Sequence, residues 1–265
     1  TFLHEYITVW HQGSAKNIHT TYDQSINIKV TGPLLPANEN FQKEELFSAR
    51  KKYLGDNHQK SFLITVFDIP PQKTKSGTGI YSAVGSAISE EYYSEFIRDI
   101  DRLMNETPEI VILYKPKRDF TVGTLYAPDG FEEVIKKNQN NPRWVTLDNK
   151  TNTWLLVLIS DLVISIPFTS TGLVALNKDK PFLYYNPSHY FTSTFYEELD
   201  DYITQSYEEL IDKVRSIIKY GMNINELKKT SFYVAEPKGG YTQGFVNFLR
   251  NPKEECTPRS VYINS

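Results

Sequence analysis

The sequence predicts an α/β fold, Rossmann-like, with a mainly parallel sheet and helices on both faces. Two observations carry this. From Ser61 onward short apolar runs alternate with longer segments of helical period, which is how strand–helix–strand units read. The strands among them, Phe62–Phe67, Ile110–Tyr114, Trp144–Leu147, Leu162–Ile166 and Phe182–Tyr185, are mostly apolar or aromatic on both of their sides, as strands covered by helices on two faces must be.

The helices follow from spacing and caps. Ile88, Tyr92, Phe96, Ile100 and Leu103 recur at helical intervals after Ser86 and Ser89, either of which can accept the first free backbone N–H groups. Ser206 with Glu209 forms a capping-box pattern, and Tyr207, Leu210, Ile211, Val214, Ile217 and Ile218 make one apolar face before Gly221 stops the helix. A helix is predicted around Lys43–Tyr53, and a final amphipathic one from Gly239-Gly240 through Leu249, ended by Pro252.

Ahead of this, Tyr6–Trp10 and Ile26–Val30 read as strands, and Gly32, Pro33 and Pro36 punctuate a polar stretch. Residues 1–57 are therefore expected to be the end of an amino-terminal domain plus a hinge, 58–250 the main α/β domain, and 251–265 a tail.

Composition limits the function classes. With 265 residues, 40% hydrophobic and 23% charged, the chain can bury a full core and is neither disordered nor collagenous. The longest apolar stretch, Trp154–Phe168, is too short to span a bilayer and is interrupted by Ser160 and Asp161, so it reads as a buried helix followed by a buried strand. Any membrane association is expected to be peripheral. The lone Cys256 excludes an intramolecular disulfide and, with no signal peptide in view, suits a cytoplasmic protein. A net charge of −3 with dispersed basic residues argues against nucleic acid as a partner.

The most informative stretch is Asp161–Leu176, in which a buried strand runs into a hydroxyl cluster that opens a helix. Ligands of open α/β sheets bind at the carboxyl ends of strands. Thr169, Ser170 and Thr171 would offer hydroxyls beside the free N–H groups of a helix start, where partial positive charge favours a phosphate. Gly172 would let a ligand approach closely. The competing role is a simple cap by Ser170 or Thr171. At the end of the next strand Tyr185 is placed to stack on a base, and packing is the other role open to Tyr184 and Tyr185.

The run Ile166-Pro-Phe-Thr-Ser-Thr171, followed by Ala175-Leu176 and Lys180-Pro-Phe-Leu-Tyr-Tyr185, resembles the PFTS-motif proteins of bacterial polysaccharide biosynthesis. More distantly it is similar to the carboxy-terminal donor domain of GT-B glycosyltransferases that use CMP-activated Kdo or sialic acid. The likeness is strongest over 161–187 and extends over about 61–250. It implies transfer of a sugar from a nucleotide donor, a CMP-sugar by preference, to a glycan or lipid-linked glycan acceptor, at the inner face of a bacterial membrane and with no cofactor. It also implies that Thr169, Ser170 and Thr171 occupy phosphate-binding positions.

Further candidates lie on the same expected edge. Leu113-Tyr-Lys-Pro-Lys-Arg-Asp119 follows a strand where related transferases often carry Lys-Pro-His-Pro, and Lys117 stands in the place of that histidine. Lys115, Lys117 or Arg118 would neutralise phosphate charge, or form a solvated basic turn. Asp68–Gly79, with its prolines, lysines and glycines, reads as a surface loop or a mobile cover, and it lacks the Walker A spacing. His11-Gln-Gly13 resembles the His-Gly turn that closes the first domain of several such enzymes. His11 and, by position alone, Asp68 are the catalytic candidates. No histidine spacing suits zinc. A glycerophosphotransferase, a nucleotide-sugar epimerase and a non-catalytic nucleotide-binding module are the alternatives on one scaffold.

Overall fold

The computed structural model describes residues 6–10, 12, 14–15, 18, 27–32, 41–55, 60–69, 89–118, 128–167, 169–189, 194–234 and 240–250. The chain divides into two compact units, one of 1–40, 193–199 and 223–265, the other of 41–192 and 200–222. In this division the helix at 43–54 lies within the α/β unit and residues 223–250 within the other.

In the first unit, β1 (Tyr6–Val9) and β2 (Asn27–Val30) pair in parallel, Tyr6 opposite Asn27 and Val9 opposite Val30. Val9, Ala15 and Ile28 form a small core there with Ile7, Ile18 and Val30 against it. Both the N–H and the hydroxyl of Thr31 donate to the Val9 carbonyl, at 2.8 and 3.1 Å, which closes the end of the pair.

The second unit carries α1 (Lys43–Leu54), β3 (Phe62–Phe67), α2 (Glu90–Glu106), β4 (Ile110–Lys115), α3 (Asp129–Asn138), β5 (Trp144–Thr146), α4 (Thr153–Ile159), β6 (Leu162–Ser165), α5 (Ser170–Asn177), β7 (Phe182–Tyr185), β8 (Ile203–Thr204) and α6 (Tyr207–Tyr220). The six strands lie in the order β5-β4-β3-β6-β7-β8, all parallel. Counted from β3, this is the doubly wound order 3-2-1-4-5-6, in which successive crossovers first run one way from the central strand and then the other. The direction reverses between β3 and β6, so the crevice at their carboxyl ends is the place where such sheets hold ligands.

Burial explains the elements. Tyr92, Tyr93, Phe96, Ile97, Ile100, Leu103 and Met104 form the buried stripe of α2, while Leu210, Ile211, Val214 and Ile217 do the same for α6. They pack on one face of the sheet with Ile64, Val66, Ile112, Tyr114, Ile164, Leu183 and Tyr185. Each aliphatic side chain so buried contributes about 1.5–3 kcal/mol. The caps act as expected: Ser89 accepts from the Tyr92 N–H at 3.1 Å, Ser206 accepts from the Glu209 N–H at 3.3 Å, and Gly221, at φ 76°, returns its N–H to the Ile217 carbonyl.

Some features are not read from periodicity. The two-residue β8 is too short for a pattern, and α3 starts behind Pro128. Polar groups also fix the layers. Arg50 of α1 donates to both carboxylate oxygens of Asp161 and to the carbonyls of Ile159 and Ser61, which fastens α1 at the amino end of β6. The buried hydroxyls of Thr65 and Ser160 meet at 2.5 Å, so neither is left unsatisfied between β3 and α4.

Candidate functional site

The carboxyl edge of the sheet brings together Asp68 after β3, Lys115-Pro-Lys-Arg118 at the end of β4, and Ser165 at the end of β6 with Thr169–Thr171 behind it. Phe67 is in register with both Lys115 and Ser165, so the three segments emerge side by side at the switch point. His11, Phe168, the tail 251–265 and residues 70–79 of the loop that Asp68 opens lie outside the described residues.

The hydroxyl turn is built from β6 and α5. Thr169 is the N-cap residue of α5, yet its side chain makes no capping bond. Its Oγ1 donates instead to Ser165 Oγ at 3.0 Å and lies 3.0 Å from Thr171 Oγ1. The chain of hydroxyls Ser165–Thr169–Thr171 therefore stands beside the helix start rather than closing it. Ser170 is exposed and Thr171 half-buried, both inside the first turn. Simple capping by Ser170 or Thr171 is not what the turn does.

Gly172 has a different role from the one expected. A Cβ there would meet Tyr184 Cζ at 2.7 Å and Phe182 Cδ2 at 2.9 Å, so the missing side chain makes room for the rings of β7, not for a ligand. The hydroxyl of Tyr184 goes on to donate to the Thr169 carbonyl at 2.9 Å. Tyr185 likewise packs in the core instead of stacking on a base. It is fully buried, its ring packs on Phe96 at 5.8 Å, and its hydroxyl donates to Asp99, so no face is offered to a base. Adjacent strand residues point to opposite faces, and here helices cover both.

Asp68 is buried and both its oxygens are engaged. Oδ1 accepts the Lys117 N–H at 2.6 Å, and Oδ2 lies 2.5 Å from the Tyr93 hydroxyl of α2 and in hydrogen-bond contact with the Tyr114 hydroxyl of β4. Burial pushes its carboxyl above the usual carboxylate range, against the hydrogen bonds from Tyr114, Tyr93 and Lys117 and the charge of Lys115. A role as transfer base requires those bonds to open. Lys115 is itself buried, and burial pulls its ammonium below the ordinary lysine range while Asp68 and Asp148 oppose that shift. Lys117 and Arg118 are exposed at the edge.

Sequence reasoning missed Tyr93, Tyr114 and Ser165. Their surroundings mark them as core, and only the strand order reveals that Tyr93 and Tyr114 reach Asp68 and that Ser165 meets Thr169 at this edge. Another missed feature follows β7, where Ser188 and His189 are consecutive non-glycine residues with positive φ, 60° and 51°, and Ser188 bonds Glu95 at 2.6 Å. Among the described residues no group of His, Cys, Asp and Glu is placed to hold a metal ion, and no helix is long and apolar enough to cross a membrane.

The strand order and the edge it exposes define a doubly wound, Rossmann-like α/β domain with a ligand crevice at its switch point. The chain belongs to the polysaccharide biosynthesis PFTS motif proteins, whose family model matches residues 2–214, with Pro167-Phe-Thr-Ser170 as the motif itself. No curated protein matches it in sequence. Among solved structures it is similar to HepE of Anabaena in complex with UDP and glucose, with a TM-score of 0.54 and 15% identity over 93% of this chain and 63% of that one. It is also similar to the wall teichoic acid polymerase TagF, with a TM-score of 0.56 and 14% identity over 95% of this chain and 58% of that one. A glycosyltransferase from Rickettsia africae gives 0.54 and 12%, over 98% and 64%. The chain thus spans less than two thirds of the length of each, and at these identities the likeness is one of fold.

Proposed function

We propose that this chain binds a nucleotide sugar at the carboxyl edge of its sheet and serves glycosyl transfer in the synthesis of a bacterial surface polysaccharide. The observation that carries the reading is the uncapped helix start of α5 at the switch point, with the hydroxyls of Ser165, Thr169 and Thr171 beside it. A helix start with its partial positive charge, lined by hydroxyl donors and flanked by the exposed Lys117 and Arg118, suits a diphosphate or monophosphate ester. In transfer the same groups would stabilise the charge that grows on the leaving phosphate.

The donor in this reading is a CMP-sugar, on the strength of the PFTS-type hydroxyl cluster, and the acceptor a glycan or lipid-linked glycan. A UDP-sugar is the second donor, favoured by the UDP in the HepE complex of like fold. His11 is the candidate acid or base of this reading. The whole enzyme would act at the inner face of the membrane through peripheral contact.

Calorimetric titration with CMP, UDP and GDP, repeated on a Ser170→Ala/Thr171→Ala variant, tests the proposal. Binding of CMP that weakens in the folded variant supports it, preference for UDP or GDP redirects the donor, and binding to none of the three contradicts it. Release of free nucleotide from the bound nucleotide sugar, dependent on added glycan acceptor, separates a transferase from a binding module.

A further inference from the structure

The contacts around Asp68 can be counted in protons. Asp68 Oδ2, Tyr93 Oη and Tyr114 Oη form a closed triangle: Tyr93 lies 2.5 Å from the carboxyl and 2.6 Å from Tyr114, and Tyr114 touches the same carboxyl oxygen. Each of the three oxygen–oxygen contacts needs one hydrogen between its atoms, since two bare lone pairs at such distances repel. The two phenols supply two hydrogens. An ionised carboxylate supplies none and leaves one edge of the triangle without a proton, whereas a carboxylic acid supplies the third and lets every oxygen donate once and accept once around the ring.

We propose that Asp68 is a neutral carboxylic acid in the folded protein, closing a three-proton ring with Tyr93 and Tyr114, and that it thereby positions the basic turn after β4 without placing a negative charge at the phosphate edge. Oδ1, outside the ring, holds the Lys117 N–H at 2.6 Å in this arrangement. Asp68 acts as a positioning residue: its carbonyl-like oxygen sets the backbone from which Lys117 and Arg118 project, and its proton removes the repulsion that a carboxylate would exert on a bound phosphate. Among the described residues the groups facing it are Tyr93 from α2 and Tyr114, Lys115 and the Lys117 N–H from β4 and its turn. Burial of the carboxyl runs in the same direction as the proton count, while the hydrogen bonds from Tyr114, Tyr93 and the Lys117 N–H, and then the charge of Lys115, run against it.

The ring stands independently of any ligand. Its consequence for phosphate rests on the nucleotide reading above, and the experiment separates the two. The intact chain would be labelled with carbon-13 at its aspartate carboxyls and the Cγ resonances followed against pH, that of Asp68 being identified by its loss in Asp68→Asn. Where that variant fails to fold, Tyr93→Phe, which removes one ring proton, identifies it by its displacement. The expected result is an Asp68 resonance that stays at the protonated position at pH 7, where exposed aspartates have long since ionised. An Asp68 resonance that ionises together with the exposed aspartates overturns the inference, whatever the nucleotide affinity.

A companion titration with CMP above the phosphate's second ionisation, at about pH 6, completes the test. Affinity is expected to fall as Asp68 ionises and to lose that fall in Asp68→Asn. A neutral Asp68 in a chain that binds no nucleotide overturns the donor-site reading and leaves the ring in place. Binding that does not change while Asp68 ionises overturns the role assigned to its proton.

Discussion

Tyr184 donates its hydroxyl to the Thr169 carbonyl at 2.9 Å, so β7 holds the turn that joins β6 to α5. The turn carrying the family motif is thereby set by the neighbouring strand as well as by its own sequence. Tyr184→Phe keeps the ring and removes this one bond. It is expected to cost about 0.5–1.5 kcal/mol in chemical denaturation and to weaken nucleotide binding, since the hydroxyls of Thr169 and Thr171 lose their fixed base.

Gly172 leaves no room for a methyl group, with Tyr184 Cζ at 2.7 Å from an added Cβ and Phe182 Cδ2 at 2.9 Å. Gly172→Ala is expected to destabilise the domain by about 1–3 kcal/mol through overpacking, read as a lower thermal midpoint. Unchanged stability would show that α5 can slide on β7 and that its start is not rigidly placed.

The hydroxyl of Thr169 bonds Ser165 and faces Thr171, at 3.0 Å in each case, and does not cap the helix. Thr169→Val preserves the shape and deletes the hydroxyl. A loss in nucleotide affinity of about tenfold, equivalent to about 1.4 kcal/mol, with a folded domain is the expected outcome in calorimetry. A change in stability without any change in affinity would return the cluster to a purely structural role.

Arg50 offers a control at the opposite, amino end of the sheet, where it binds Asp161 at 2.6 Å and two carbonyls. Both side chains are partly solvent-exposed, so Arg50→Ala is expected to cost about 1.5–3 kcal/mol and to leave the nucleotide affinity of the folded fraction unchanged. Loss of affinity in this variant would show that damage anywhere in the sheet reaches the site, and would weaken the readings of the other variants.

The raised ionisation of Asp68 fixes a sign for stability against pH. The folded chain holds a proton that the unfolded chain releases near the ordinary aspartate value of about 3.9. This contribution is fully present below that value and is lost as the pH rises from there through the folded-state value. Denaturation midpoints measured across that range should fall more steeply in the wild type than in Asp68→Asn, and equal slopes would contradict the assignment.

Most strands and helices were legible in the sequence because each is a run of one period between clear stops. Phe62–Phe67 and Phe182–Tyr185 match residue for residue, and the capped starts at Ser89 and Ser206 are where the hydroxyls predict. The edge to which the site candidates belong was legible for the same reason, since strand ends can be read locally. Side-chain roles were not. Tyr185 and Tyr184 alternate across a sheet covered on both faces, so exposure cannot be told from sequence. Asp68 takes its meaning from Tyr93 and Tyr114, which are 25 and 46 residues away and reach it only through the strand order. Gly172 reads as a ligand gap until the ring of Tyr184 is seen to fill it.

The central claim is that the hydroxyl turn of β6 and α5 holds a nucleotide phosphate, and a crystal structure of the chain grown with the nucleotide that calorimetry selects tests it most directly. The account predicts the phosphate within hydrogen-bonding distance of Thr171 Oγ1 and the first N–H groups of α5, with Lys117 or Arg118 turned towards it. A phosphate seated away from this turn, or a turn whose hydroxyls keep only each other as partners while the nucleotide is bound elsewhere, would contradict it.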